Sequence, residues 1–228
     1  ASFLGSISDL KKSILINIGT SGQISAFYEE FIKVDNLELD IRPFPGGGFI
    51  LVGASLCGGN SLNILKGLFE DTLQTFCGCG LKTDIFFSIA NSINLSSFPE
   101  ENRLYVKTLF EGSRNNPKER GSIQNISSNN LSVRNLIVGF FEGICNELLR
   151  FYNQMPDQIK KRNSITVGSG NAIRRNNLLC KILEKKFNCK LSIPVHREEA
   201  AFGACLNAIV GSKLFSNYTE VGSLISYL

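Results

Sequence analysis

The chain has 228 residues, 43% of them hydrophobic and 19% charged, with a formal net charge of +4 and a mean hydropathy of +0.05. This composition excludes disorder as the main character of the chain, the lack of any apolar run of ~18 residues argues against a membrane span, and no membrane partner is expected. The small positive charge is spread out, and its densest stretch, Lys160-Lys161-Arg162, reads as a solvated loop rather than a nucleic-acid patch, so the expectation is one soluble globular domain.

In chain order, Ser13 to Ile18 is a short β-branched run ending at Gly19 and is predicted as a buried strand. Gly19-Thr20-Ser21-Gly22 is a turn. Gln23 to Tyr28, Leu37 to Pro43 and Phe49 to Val52 are further strands, close enough in sequence to form hairpins. The period then changes. Leu62, Leu65, Leu68, Phe69, Leu73 and Phe76 follow helical spacing, in a helix starting near Gly58-Gly59-Asn60-Ser61 and stopping at Gly78. After a polar stretch, Arg103 to Phe110 is a candidate strand, and residues 112–130 read as loop. A helix resumes at Ser132, with Leu136, Ile137, Phe140, Phe141, Ile144, Leu148 and Leu149 on a wide apolar face. Ser164 to Val167 is a strand, residues 168–172 a turn, residues 176–187 a helix, and Glu198 to Val210 a last helix whose small residues suit close helix contact.

Several chemistries lack their residues. The single histidine, His196, has no second motif around it to build a triad or a metal centre. The seven cysteines contain no CxxC pair and mostly sit in apolar runs, which predicts reduced, mostly buried thiols and a cytoplasmic setting. Asn94, Asn125, Asn130 and Asn217 head glycosylation sequons, but without a signal peptide they are expected by chance in a chain rich in Asn and Ser.

Three glycine-rich turns follow strand-like runs: Gly19 to Gly22, Gly53-Ala54-Ser55 continuing to Gly58-Gly59-Asn60, and Gly168-Ser169-Gly170-Asn171. Glycine lets backbone N–H groups approach an anion, hydroxyls add donors, and a helix N-terminus adds partial positive charge. One such turn is usually structural, since tight turns need glycine anyway. Three in one domain favour nucleotide binding, although neither GxxxxGK[ST] nor GxGxxG is present.

Ile16-Asn17-Ile18-Gly19-Thr20-Ser21-Gly22-Gln23, Val52-Gly53-Ala54-Ser55-Leu56 with Gly58-Gly59-Asn60, the segment from Gly168 to Asn176, and Glu198-Glu199-Ala200-Ala201-Phe202-Gly203-Ala204 together resemble the C-terminal domain of the FGGY carbohydrate kinases. The second and third segments are most similar to the sedoheptulokinase branch. The resemblance implies an α/β, ribonuclease H-like fold of the actin/hexokinase/sugar-kinase ATPase type, a mixed sheet with flanking helices. It implies ATP and Mg2+ as cofactors, a ketose acceptor (sedoheptulose first, with the xylulose-kinase branch as alternative), and an N-terminal sugar-binding domain of the same kinase as partner. A non-catalytic nucleotide-binding or scaffold module of the same fold is a further alternative.

For single residues, the resemblance places Gly19, Thr20 and Ser21 at a phosphate-binding hairpin, Gly53 and Cys57 beside phosphates and ribose, and Ser169, Gly170, Asn171 and Asn176 around ribose and adenine. Cys57 stands where relatives can carry a polar side chain. Ser113 of Gly112-Ser113-Arg114 replaces a family glutamate. Arg174 and Arg175 read as exposed helix-start residues, and Glu198 and Glu199 as caps of the last helix. The family's catalytic aspartate would fall just upstream of Ala1. Asp9, Asp35, Asp40, Asp71 and Asp84 lack its spacing to a phosphate loop, so no catalytic residue is assigned within the chain.

Overall fold

The computed structural model describes residues 1–33 and 38–228. Strand β1 (Ser13–Ile18) sits inside a six-stranded sheet of order β3-β4-β2-β1-β7-β8, with β2 Gly22–Tyr28, β3 Leu39–Pro43, β4 Phe49–Ser55, β7 Ile165–Ser169 and β8 Leu191–Ser192. β1, β2, β4 and β3 pair antiparallel, whereas β1, β7 and β8 run parallel. The period-two rule explains the composition of β1: Ile14, Ile16 and Ile18 enter the core on one face and Leu15 the core on the other, so every second residue is apolar twice over.

The larger core is closed by α1 (Gly59–Cys77), α2 (Thr83–Ser92), α3 (Val133–Gln154) and α6 (Asn177–Phe187). α3 begins where Ser132 Oγ accepts from the Asn135 N–H, and α1 ends where Gly78 turns left-handed at φ 64°. The smaller core gathers the N-terminal segment, α7 (Glu199–Gly211) and α8 (Tyr218–Gly222) on the opposite face. This mixed sheet with helices on both faces is the predicted fold class.

Some expectations change. The segment 103–110 contributes only a three-residue strand, β5 (Tyr105–Lys107), which pairs with β6 (Ser122–Gln124) inside the stretch read as loop. Lys160-Lys161-Arg162 closes a short helix, α4 (Asp157–Arg162), anchored by buried Ile159 and by an Arg162–Glu29 ion pair of 2.7 Å. Only the first half of the apolar stripe on α1 is buried: Leu62 and Leu65 are in the core, Leu68 is exposed and Phe76 is 83% exposed. On α7 the close contact is made by Gly203 alone, where a Cβ would lie 2.0 Å from the Ala1 carbonyl, while Ala200, Ala201, Ala204 and Ala208 face outward. Cys57 and Cys145 are buried, Cys180 and Cys189 half-buried, and Cys77, Cys79 and Cys205 exposed, so the thiols are less buried than expected. Leu37 and Asp35 lie outside the described residues.

Candidate functional site

Parallel pairing of β1 with β7 puts Asn17 opposite Ser169, and antiparallel pairing of β2 with β4 puts Gly22 opposite Ser55. All three glycine-rich turns therefore leave the same edge of the sheet. Asn17 Nδ2 donates to Ser169 Oγ at 2.7 Å, joining the first turn's strand to the third's. Gly170 then reverses the chain at φ 91°, so close to β1 that a Cβ would stand 2.5 Å from the Ile18 carbonyl oxygen. Both the torsion and the contact require glycine here. The chain continues into a short helix, α5 (Asn171–Arg175).

The second turn locks onto the first. At the start of α1 the Gly59 N–H donates to the Gly19 carbonyl and the Asn60 N–H to the Thr20 carbonyl, each at 2.9 Å. Helix N-termini leave such donors without internal partners. In this fold they are spent on the hairpin, so the positive end of α1 braces the turn rather than facing a ligand directly. Within the hairpin the Gly19 N–H donates to the Ser21 carbonyl at 3.0 Å. A Cβ on Gly19 would meet nothing within 4 Å, and Thr20 and Ser21 are exposed. The hairpin tip thus offers two hydroxyls beside open space, with exposed Asn171 on the neighbouring turn.

The structure brings Gly19, Thr20, Ser21, Ser169, Gly170 and Asn171 together at this edge and places the other candidates beneath it. Gly53 is buried under Phe151 of α3, where a Cβ would come 2.3 Å from the Phe151 Cβ. Cys57 is buried, its N–H donating to Ser55 Oγ at 3.1 Å and its carbonyl accepting from Ser61 Oγ; burial pushes its thiol pKa up. Asn176 is fully buried, with Nδ2 donating to the Ala172 carbonyl at 2.7 Å and Oδ1 left without a partner. These three shape the shelf on which the open turns sit.

Arg174 is neither exposed nor free: its guanidinium holds the Pro194 and His196 carbonyls and Glu199 Oε1 at 2.8, 2.6 and 2.7 Å. Glu199 is thereby a buried ion-pair partner rather than a cap, and Glu198 occupies the cap position of α7 without a side-chain bond. His196 Nε2 lies 2.5 Å from the Gly5 carbonyl and its ring packs on Phe202, a structural role. Arg114 pairs with Asp40 at 2.7 Å beside Ser113.

Sequence reasoning missed Glu147 of α3, buried beside the shelf. Ser55 Oγ donates to its Oε2 at 2.8 Å and Thr108 Oγ1 at 3.2 Å; desolvation raises its pKa despite these bonds. Its signal was present, since an acid falls on the spacing that otherwise carries Phe140, Ile144 and Leu148.

Among the described residues no group of three or more His, Cys, Asp or Glu could hold a metal ion. Mg2+ often binds through substrate phosphates and water rather than an all-protein cage, so such a cation fits this edge only as part of a phosphate complex. Among the described residues, too, no helix is long and apolar enough to cross a membrane.

No family model matches the chain. It is 26% identical to sedoheptulokinase of Mus musculus over 199 residues, 84% of this chain and 40% of that protein. With sedoheptulokinase of Homo sapiens the figures are 24% over 207 residues, 88% of this chain and 40% of that protein. The chain therefore spans about 40% of the length of these curated relatives. Among solved structures, ligand-bound xylulose kinase from Lactobacillus acidophilus superposes with a TM-score of 0.80 at 16% identity, covering 100% of this chain and 44% of that one. Plasmodium falciparum glycerol kinase with ADP superposes with a TM-score of 0.73 at 14% identity, covering 98% and 43%.

Proposed function

Taking as premise that the chain has the fold of an FGGY-type sugar-kinase domain, we propose that it binds ATP or ADP, with Mg2+ carried on the phosphates, at the edge where the three glycine turns meet. The observation that carries this reading is the lock between α1 and the hairpin: two N–H···O bonds of 2.9 Å fix Gly19 and Thr20 while their outer side stays open. A preorganised turn with exposed hydroxyls suits a phosphate chain, because the cost of ordering it is met in folding. Thr20 and Ser21 supply donors to phosphate oxygens, Ser169 and Gly170 set the path of the third turn, and Asn171 stands on the side where a nucleoside would extend. Gly53, Cys57 and Asn176 act from below, by packing.

In the full-length enzyme the bound nucleotide supplies the γ-phosphoryl group, and the acceptor is a hydroxyl of a ketose. Sedoheptulose ranks first on the two sequence matches. Phosphoryl transfer relies chiefly on positioning and charge stabilisation. The hairpin's task is to hold the phosphate chain still, and the rest of the longer enzyme contributes the sugar contacts and the base that takes the hydroxyl proton. Among the described residues, Asp9 accepts from the Lys11 and Lys12 N–H groups, Asp40 pairs with Arg42 and Arg114, and Asp157 at the start of α4 pairs with Lys160 at 2.8 Å.

Thr20→Val removes the hydroxyl and keeps the shape. Losing one hydrogen bond to a charged phosphate oxygen costs about 1.5 kcal/mol or more, an MgADP affinity weaker by at least about tenfold by calorimetry, with Tm unchanged. Equal affinity in wild type and variant would remove the phosphate site from this hairpin. For the acceptor, full-length enzyme is assayed with sedoheptulose, xylulose and glycerol; the reading expects the highest kcat/KM with sedoheptulose, and no turnover with any of them favours a non-catalytic module.

A further inference from the structure

Glu147 is costly where it stands. It is 9% exposed, and among the described residues no cation lies within ion-pair distance of it, whereas a buried carboxylate ordinarily demands one. What it has instead is a directed hydrogen-bond chain. Ser55 Oγ accepts the Cys57 N–H at 3.1 Å, so the Ser55 proton is free to point the other way, to Glu147 Oε2 at 2.8 Å. Thr108, just after β5, donates to the same oxygen at 3.2 Å, a second bond on the carboxylate. Cys57 is in turn tied through its carbonyl to Ser61 Oγ in the first turn of α1. Two and three residues beyond Cys57, the Gly59 and Asn60 N–H groups grip the hairpin carbonyls.

We propose that Glu147 is a positioning residue for the nucleotide site: through Ser55 it fixes the 55–57 turn, and with it the entry of α1 whose N–H groups hold Gly19 and Thr20. Hydrogen bonds in such a chain polarise one another inside a low-dielectric interior, so an anionic or strongly accepting end stiffens the whole run. The inference rests on the nucleotide reading for its functional meaning, and its structural half can be read without nucleotide.

The test compares Glu147→Ala, Glu147→Gln and Ser55→Ala in the 228-residue chain, with hydrogen exchange at the Gly59 and Asn60 amides and MgADP calorimetry as readouts. Removing the acceptor of a buried hydrogen bond leaves the Ser55 hydroxyl unsatisfied, so Glu147→Ala is expected to speed exchange at both amides and weaken MgADP binding by about tenfold. Glu147→Gln keeps an acceptor for Ser55 and is expected to restore both to within about threefold of wild type. Ser55→Ala should reproduce Glu147→Ala, and the double variant should be no worse than either single one, as members of one chain are non-additive. If Glu147→Ala does not fold, Ser55→Ala carries the test. Ile137→Val, a trimmed core residue of the same helix, controls for stability alone and should leave both amides and affinity unchanged. Wild-type exchange and affinity in Glu147→Ala, or a Gln variant as impaired as the Ala variant, would overturn the proposal. A wild-type chain with no MgADP affinity, but with the expected exchange pattern, would overturn the nucleotide role while leaving the hydrogen-bond chain standing.

Discussion

Replacing Gly59 by alanine sets two effects against each other. Gly59 is the first residue of α1 and its φ is not positive, so helix propensity alone favours alanine by up to ~1 kcal/mol. The added Cβ, however, would stand 2.2 Å from the Gly19 carbonyl oxygen, well inside the 3.0 Å that Cβ contacts essentially never breach. Relief requires the hairpin or the helix start to move by close to 1 Å, and both are backbone. Such overpacking costs ~1–3 kcal/mol, and the 2.9 Å bond from the Gly59 N–H to Gly19, worth ~1 kcal/mol, is strained or lost with it. The clash wins, with a net loss of about 1–3 kcal/mol and a Tm lowered by ~2–10 °C for a chain of this size. Because the displaced atoms are the hairpin itself, MgADP affinity should fall at least about tenfold, in line with the sensitivity of bound geometry to ~1 Å shifts. Gly67 provides the internal control. It lies exposed in the same helix with nothing within 4 Å of a Cβ, and Gly67→Ala should gain ~0.5–1 kcal/mol with affinity unchanged. Thermal melts and calorimetry on both variants decide the matter. A Gly59→Ala protein as stabilised as Gly67→Ala, with wild-type affinity, would refute the tight lock between α1 and the hairpin.

Further outcomes follow from other contacts. Arg174→Met leaves Glu199 buried and alone, so urea melts should show a loss of about 3–5 kcal/mol; an unchanged midpoint would contradict the clamp between α5 and α7. Glu147 has a folded-state pKa raised by desolvation, so the native state holds its proton more tightly than the unfolded chain. Its contribution is fully present below the unfolded value of about 4.5 and is lost as pH rises through the folded pKa, so wild type should lose stability relative to Glu147→Gln across that window. A stability difference that is flat from pH 4 to ~8 would contradict the raised pKa. Thiol titration of the native chain should show Cys77, Cys79 and Cys205 reacting fast and half-buried Cys180, whose thiol is pushed up to about 11, reacting slowly, whereas buried Cys57 and Cys145 react only on unfolding.

The parts of this molecule legible in the sequence are those whose cause is local. β1 and β2 announce themselves by β-branched residues around a glycine turn, α3 by a wide apolar face behind the Ser132 cap, and the end of α1 by Gly78. α2 hides because Ile85, Phe86, Phe87, Ile89 and Ala90 spread apolar residues over more than one side of a ten-residue helix and blur the helical period, although only Phe86 and Ala90 are buried. β6 and β8 are short enough that partner strands, not their own residues, make them strands. Phe76 satisfies the helical spacing and is still exposed, because periodicity marks a face without saying how far the core extends along it. At the site, the glycines were readable as turns, but their convergence depends on β1 lying beside β7, about 150 residues apart. The Arg174–Glu199 pair and the Glu147–Ser55 bond span 25 and 92 residues and have no local signature.

The most direct measurement is a titration of the isotopically labelled chain with MgADP, followed by backbone amide shifts. The reading predicts saturable shifts concentrated at residues 19–21, 57–60 and 169–172, the edge where the three turns meet. Near-silence is expected across a cavity of about 740 Å³ at the opposite end of β1, lined in part by Lys11, Phe27, Phe44 and Tyr218. Saturable shifts confined to that cavity, or none anywhere at millimolar MgADP, would contradict the assignment of a nucleotide to the glycine turns.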